Sequence, residues 1–143
     1  MVFVIDFGNE NVKSVKFPTK IIKKMEVSGG KVIYGPQHVG LVSLRDISVH
    51  MGARSVLSWV IYWGLQWDAK EAMKIEDVDD LIDEYLAIEL DKGERSGALA
   101  DGVMKALLGG YGIDADKLKE EEEAAKNPMA EDGKEEGETE APN

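Results

Sequence analysis

Residues 54–67 read RSVLSWVIYWGLQW, and this segment decides the expected fold. A helix over it has almost no polar face, and such a helix either spans a membrane or is wrapped by protein. At about twelve residues it is too short to span a bilayer, which takes about 20. We therefore predict the central buried helix of the domain, or a helix that exposes part of its surface to a partner. Its apolar positions are Val56, Leu57, Trp59, Val60, Ile61, Tyr62, Trp63, Leu65 and Trp67.

Three tryptophans in this segment, Trp59, Trp63 and Trp67, recur every four residues and, with Tyr62, form an aromatic ribbon on the helix. Packing in the core is the simpler interpretation. The alternative is a patch that binds a protein partner, because tryptophan and tyrosine are enriched at the residues that dominate such interfaces. These four side chains are our candidate partner-binding residues.

A short helix is predicted before this segment, over residues 44–51. Ser43 followed by Asp46 is typical of a capping box, in which each residue satisfies a free backbone N–H at the helix start. The helix should stop at Gly52. His50, near its end, is interpreted as a partly buried structural histidine.

Further helices are predicted after the segment. Residues 75–90 carry one apolar stripe, and their acidic residues cover the remaining faces and should be exposed. Another helix runs from near Ser96 to Gly109–Gly110, a natural C-terminal stop. Residues 114–126 form an acidic helix. Residues 127–143 contain almost nothing to bury and should be disordered.

The N-terminal region reads as β-structure. Residues 3–17, FVIDFGNENVKSVKF, predict a hairpin with a Gly-Asn-rich turn. Residues 19–35, TKIIKKMEVSGGKVIYG, predict a second hairpin around Gly29–Gly30. The predicted fold class is therefore α+β, in a single domain over residues 1–113. It comprises a β-hairpin region over residues 1–36 and a bundle of about four helices over residues 42–113.

The first hairpin also has a functional interpretation. The order strand, Asp6-Phe7-Gly8, polar residues, Lys13 resembles the first phosphate-binding loop of the actin and sugar-kinase superfamily. However, Asn9 replaces the Ser or Thr expected after the glycine, and no second Asp-x-Gly follows residue 36. We favour a plain hairpin turn, with a small nucleotide-binding module at Asp6–Lys13 as the alternative.

Composition excludes several function classes. The net charge is −11, which disfavours nucleic acid as a partner. The chain lacks cysteine, so a thiolate metal site is excluded. EF-hand spacing fails from both Asp77 and Asp114. No Ser or Cys elbow accompanies either histidine, so we expect no catalytic residues, no metal and no cofactor.

The N-terminus lacks the basic segment of a secretory signal, and no stretch reaches the ~18 apolar residues of a membrane span. These features predict a soluble cytoplasmic protein without a membrane partner.

Residues 55–113 resemble the tail assembly chaperones of long-tailed bacteriophages and their prophage relatives. Three motifs carry the resemblance. An apolar helix ends in an aromatic-Gly-Leu motif, VLSWVIYWGLQWD at 56–68. IEDVDDLIDEYL follows at 75–86, and a Leu-rich helix with a Gly break, ALADGVMKALLGGYGI, follows at 98–113. A charged tail completes the pattern.

The resemblance implies a non-enzymatic assembly factor. Such proteins coat the long, helical tape measure protein and are thought to hold it soluble until tail tube protein subunits polymerise around it. Many are made in a short form and a frameshifted long form, and this chain would correspond to the short one. A virion structural subunit, such as a tail or head-completion protein, is a further alternative, and the oligomeric state is left open.

Overall fold

The computed structural model describes residues 2–93 and 97–126, and within these ranges it contains one hairpin followed by six helices. The predicted α+β class is confirmed. The disorder predicted for residues 127–143 lies outside the described ranges. The elements are β1 (Phe3–Asp6), β2 (Val12–Val15), α1 (Thr19–Tyr34), α2 (Leu44–Val49), α3 (Arg54–Leu65), α4 (Ile75–Lys92), α5 (Gly97–Gly110) and α6 (Ala115–Lys126).

The chain divides into two compact units. The first, Met1–Gly112, holds the hairpin, helices α1 to α5 and one hydrophobic core. The second, Ile113–Asn143, holds the acidic helix α6, which begins after Asp114, whose carboxylate accepts from the first free backbone N–H groups. The acidic helix predicted over residues 114–126 is therefore confirmed.

The first predicted hairpin is confirmed. Strands β1 and β2 pair antiparallel, with Phe3 opposite Val15. The turn places Gly8, Asn9 and Glu10 at positive φ, a conformation that glycine and asparagine adopt readily. Alternate side chains therefore point inward, and the inner face of the hairpin covers part of the core.

The second predicted hairpin is wrong, because residues 19–34 form helix α1. The apolar residues Ile21, Ile22 and Met25 fall at helical spacing, and all three are buried on one side of the helix. Pro18 precedes the helix, where its missing N–H costs nothing. Gly35 at φ 107° ends it.

Gly29 and Gly30 lie inside α1 because neighbouring groups approach its backbone closely. A Cβ on Gly29 would stand 2.6 Å from the Cγ2 of Val42 and 2.9 Å from the Trp59 ring. A Cβ on Gly30 would overlap the His38 ring. The pair that suggested a turn thus marks a site of close packing, and the gain from that packing outweighs the poor helix propensity of glycine.

Helix α3 is the predicted central helix, and eight of its twelve residues are buried. Gly64 sits where the hairpin crosses it, against the buried side chains of Val15 and Phe17. The glycine of the aromatic-Gly-Leu motif therefore lets the hairpin approach the helix. The buried residues are Val56, Leu57, Ser58, Trp59, Val60, Ile61, Gly64 and Leu65.

The outer edge of β2 is covered by α3 and the segment after it. The N–H of Ser14 donates to the Glu71 carboxylate, and the Ser14 carbonyl accepts from the Trp67 indole at 3.0 Å. The N–H of Lys16 donates to the Gly64 carbonyl at 2.9 Å. These three bonds use the backbone groups that β2 directs away from β1.

The remaining helix boundaries follow the sequence signals. Ser43 and Asp46 form the predicted capping box of α2, with the Ser43 N–H 2.7 Å from the Asp46 carboxylate. Helix α2 ends at Val49, before the expected stop at Gly52, and α5 ends at Gly110 as predicted.

Asp79, Asp80, Asp83 and Glu84 of α4 are exposed, as predicted. Glu89 is the exception: it is 6% exposed and accepts a hydrogen bond from the Tyr85 hydroxyl at 3.2 Å.

Candidate protein-binding groove

The candidate tryptophans have different surroundings. Trp59 is 9% exposed, and its ring lies against Gly29 of α1. Trp67 is half-buried: its Nε1–H donates to the Ser14 carbonyl, and the Nζ of Lys16 lies 5.7 Å from its ring centroid. Trp67 therefore secures the hairpin to the end of α3, and the structure assigns it a structural contact.

Trp63 is the candidate indole that lines an apolar groove together with α1. It is half-buried, and its ring meets the half-buried ring of Tyr62 edge-on at a centroid separation of 5.4 Å. With Lys23, Lys24, Val27 and Ser28 of α1 it lines an open apolar groove of about 400 Å³, which we call the Trp63 groove. Val27 is 68% exposed there, so this groove presents apolar surface to solvent.

A second, larger depression lies where α3 meets α4 and the end of α1, and we call it the Trp59 cleft. Its volume is about 520 Å³, within the range of small-molecule binding sites. Apolar groups come from all three helices, and polar groups come from α3 and α4. The cleft is lined by Val32, Arg54, Ser55, Ser58, Trp59, Ile75, Asp79 and Asp83.

The two depressions follow one another along a single helix junction. Lining residues recur every four positions on both helices, which places them on one side of each helix. The chain direction of α1 opposes that of α3, because residues early in α1 share a groove with residues late in α3. The rows are Lys24, Ser28 and Val32 on α1, and Trp63, Trp59 and Ser55 on α3.

We call the two depressions together the α1–α3 groove. Eight residues of helix rise by about 12 Å, so the two depressions, which share no lining residue, together extend along about two helical turns.

The two ends of the α1–α3 groove carry opposite charges. Lys23 and Lys24 border the Trp63 groove, and among the described residues neither forms an ion pair. Asp79 and Asp83 border the Trp59 cleft. Asp83 pairs with Arg54 at 3.6 Å, but both side chains are largely exposed, so this pair contributes little stability.

Ser58 is the polar group at the base of the Trp59 cleft. It is 4% exposed and lines the cleft, and its hydroxyl makes no hydrogen bond to any group in the described part of the chain. The Ser58 oxygen keeps some access to solvent in the cleft, so water can satisfy it in the free protein. A ligand that enters the cleft can donate to this hydroxyl in place of that water.

A polar cluster elsewhere joins α1 to α2. The Tyr34 hydroxyl donates to Asp46 at 2.7 Å, and the Nδ1 of His50 lies 2.7 Å from the Asp46 carbonyl. Hydrogen bonds from Ser43 and then from Tyr34 hold the pKa of Asp46 below its usual value. The bond to Asp46 in turn raises the pKa of Tyr34. His50 is half-buried in this structural cluster, as predicted.

In the turn at Asp6–Lys13, backbone N–H groups form hydrogen bonds within the turn. The Gly8 N–H donates to the Asp6 carboxylate at 2.8 Å, and the N–H groups of Phe7 and Asn11 donate to carbonyls within the turn. A phosphate-binding loop needs backbone N–H groups that point at the ligand. Three backbone N–H groups of this turn already donate hydrogen bonds within the turn and do not point at a ligand. This geometry therefore favours the hairpin interpretation.

No group of three or more His, Asp or Glu side chains among the described residues is arranged to hold a metal ion. None of the described helices has the length and apolar character needed to cross a bilayer.

Comparisons with protein-family models, with curated proteins and with solved structures find no match to this chain. The groove itself is therefore the main guide to function.

Of the four candidate residues, Trp59 and Trp63 line the two depressions, whereas Tyr62 and Trp67 line neither. The sequence itself does not indicate the α1 side of the groove. The hairpin predicted over residues 19–35 places Lys23, Lys24 and Val27 on a strand, and such a strand gives no reason to expect them beside Trp63. Ser58 was also missed, although a serine inside an otherwise apolar helix was a usable signal.

Proposed function

We propose that this protein is a non-enzymatic bacteriophage tail assembly chaperone that binds the tape measure protein and helps recruit tail tube subunits. It would act in the cytoplasm of the host bacterium. The observation that supports this proposal is the α1–α3 groove, in which half-buried Trp63 and exposed Val27 form one apolar surface. The three sequence motifs from residue 56 to residue 113 supply the family resemblance.

The groove suits an amphipathic helix. A helix that binds in a groove uses apolar side chains at spacings of three, four and seven residues, and about two turns supply that set. Tryptophan at the centre of such a surface contributes a large share of binding energy. A long helical protein that must stay soluble before assembly presents many such segments.

The charge of the chain fits the same role. A net charge of −11 opposes nonspecific association, so a complex with an aggregation-prone polypeptide stays dispersed. The acidic residues are concentrated away from α1, which carries four lysines and one glutamate. Apolar contact at the Trp63 groove is thereby separated from the acidic surface formed by other parts of the chain.

The test uses a matched pair of substitutions and purified segments of the tape measure protein. Val27→Asp places a charge in the groove, whereas Val49→Asp places the same charge on α2 at nearly the same exposure, 67% against 68%. We expect Val27→Asp to weaken binding by about tenfold or more, the loss of one good apolar contact, and Val49→Asp to change it little. Equal affinities for both variants would contradict the proposal.

The location of the protein distinguishes a chaperone from a structural subunit of the virion. A chaperone leaves before the particle is complete, so the protein should be absent from purified virions and present in lysates of infected cells. Its presence in finished particles at the stoichiometry of a structural component would favour the alternative.

A further inference from the structure

The Trp59 cleft has the features of a site for one cationic side chain. We propose that it binds an arginine of the partner helix, a proposal that rests on the function proposed above. The aliphatic stem would lie against Trp59 and Val32. The guanidinium would donate to Asp79, Asp83 and the Ser58 hydroxyl.

Three acceptors in one cleft match a guanidinium better than an ammonium. Asp79 and Asp83 are four residues apart, on one side of α4, and Ser58 faces them from α3. Arginine presents five N–H donors in a planar fork, stacks on aromatic rings and is more weakly hydrated than lysine. Ser58 is 4% exposed as a residue, and its hydroxyl, which makes no hydrogen bond within the described part of the chain, accepts from an N–H donor when the arginine enters.

The surface around the cleft also favours a positively charged ligand group. Asp83 already accepts a guanidinium in the free protein, from Arg54 at 3.6 Å. Because both members of that pair are largely exposed, a partner arginine can replace Arg54 at little cost. The remaining acidic residues on the first turns of α4 raise the local concentration of cations. They are Glu76, Asp77, Asp80 and Glu84.

The two ends of the α1–α3 groove then define the charge pattern of the partner. Lys23 and Lys24 favour an acidic residue at one end, and the Trp59 cleft favours arginine at the other. The separation is about two helical turns, or about eight residues. A partner helix therefore carries an apolar stripe with an acidic residue and an arginine about eight positions apart.

The experiment uses a designed probe helix of about 20 residues, long enough to be partly helical in water. Its apolar stripe carries one glutamate and, eight positions on, either arginine or citrulline, which has nearly the same shape without the charge. Binding is measured by the fluorescence anisotropy of the labelled probe, with the full-length protein. We expect the arginine probe to bind about tenfold more tightly than the citrulline probe, the usual effect of a charge-assisted hydrogen bond.

Two double variants distinguish binding of the arginine in the cleft from long-range attraction by the other acidic residues of α4. Asp79→Asn with Asp83→Asn should abolish the preference for arginine. Asp80→Asn with Glu84→Gln removes the same charge from the same helix outside the cleft and should leave the preference intact. If both double variants reduce the preference equally, the effect is long-range attraction and the arginine site is wrong.

Arg54→Ala provides a test that a merely structural role would not satisfy. Because it removes the guanidinium that competes for Asp83, it should tighten binding of the arginine probe and leave the citrulline probe unchanged. Ser58→Ala should weaken binding of the arginine probe several-fold, since one acceptor is lost. Unchanged affinity in both variants would contradict the site.

The outcomes also distinguish this inference from the proposed function. If both probes bind equally and Val27→Asp still prevents binding, the groove is a docking site and the arginine site is wrong. If neither probe binds and tape measure segments are unaffected by Val27→Asp, the proposed function fails as well.

Discussion

Gly64→Ala tests the packing of the hairpin on α3. A methyl group at Gly64 would stand 2.7 Å from the Cζ of Phe17 and would overlap a methyl of Val15. Nonbonded carbons prefer separations of about 3.5 to 4.0 Å, so at least one neighbour must move. Val15 is 0% exposed and Phe17 is 2% exposed, and neither has free space in which to relocate.

The expected cost follows from two opposing terms. Overpacking of a well-filled core costs about 1–3 kcal/mol, and the rigid surroundings place this case at the upper end. Alanine in a helix interior regains about 1 kcal/mol relative to glycine, so the net loss is about 2 kcal/mol. With an unfolding entropy of about 2.1 cal/mol/K per residue over Met1–Gly112, that loss lowers the Tm by roughly 8 °C.

The assay is thermal and urea unfolding, followed by far-ultraviolet circular dichroism and tryptophan fluorescence. Gly52→Ala is the control, because a Cβ there meets no atom within 4 Å and φ is not positive. It should leave the free energy of unfolding unchanged or raise it by up to about 1 kcal/mol. A Gly64→Ala protein as stable as the wild type would refute the close approach of hairpin and helix.

Three further predictions follow from other contacts. Trp67→Phe keeps an aromatic ring but removes the N–H donor to the Ser14 carbonyl, so it should lower the free energy of unfolding in urea by about 1 kcal/mol. It should not weaken binding of the probe helix, because Trp67 has a structural contact. Loss of probe binding would contradict that structural assignment. Burial, and then the bond to Glu26, raise the pKa of Tyr111. The folded state therefore keeps that proton above pH ~10, where the unfolded state loses it, and stability falls as the pH rises through this range. The decrease in the free energy of unfolding with pH, measured by urea titration at several pH values, should be shallower in Tyr111→Phe. Equal slopes in Tyr111→Phe and the wild type would contradict the raised pKa of Tyr111. ATP with magnesium should leave the Tm unchanged, and a rise would restore the nucleotide interpretation.

Local patterns were sufficient for much of the fold. The capping box at Ser43 and the Gly-Asn turn of the first hairpin depend on neighbours within a few residues, so the sequence alone predicts them. The all-apolar segment of α3 predicts its own burial. These features are decided by the backbone and by side chains close in sequence.

Helix α1 could not be assigned in the same way. Glycine pairs occur both in turns and where two backbones approach closely, and the two uses look alike in a sequence. The choice depends on Val42 and Trp59, which reach Gly29 from thirteen and thirty residues away. The helical spacing of Ile21, Ile22 and Met25 was the available counter-evidence.

The same error concealed half of the binding groove. When residues 19–34 are placed on strands, the sequence does not predict which residues Lys23 and Val27 contact. Trp63 is then only one member of the predicted aromatic ribbon. The exposure of Asp79 and Asp83 was predicted, but their position beside Ser58 depends on how α3 and α4 pack. Residues that are distant in sequence build the site, and spacing within one helix cannot reveal it.

The bonds along the outer edge of β2 also affect how copies of the chain can associate. An unpaired strand is a template on which another chain can add a strand, and this is a common route to aggregation. Here Glu71, Trp67 and the end of α3 occupy the groups that an incoming strand would need. The short ribbon is thereby closed to extension on that side, even at the high concentrations at which neighbouring molecules meet often.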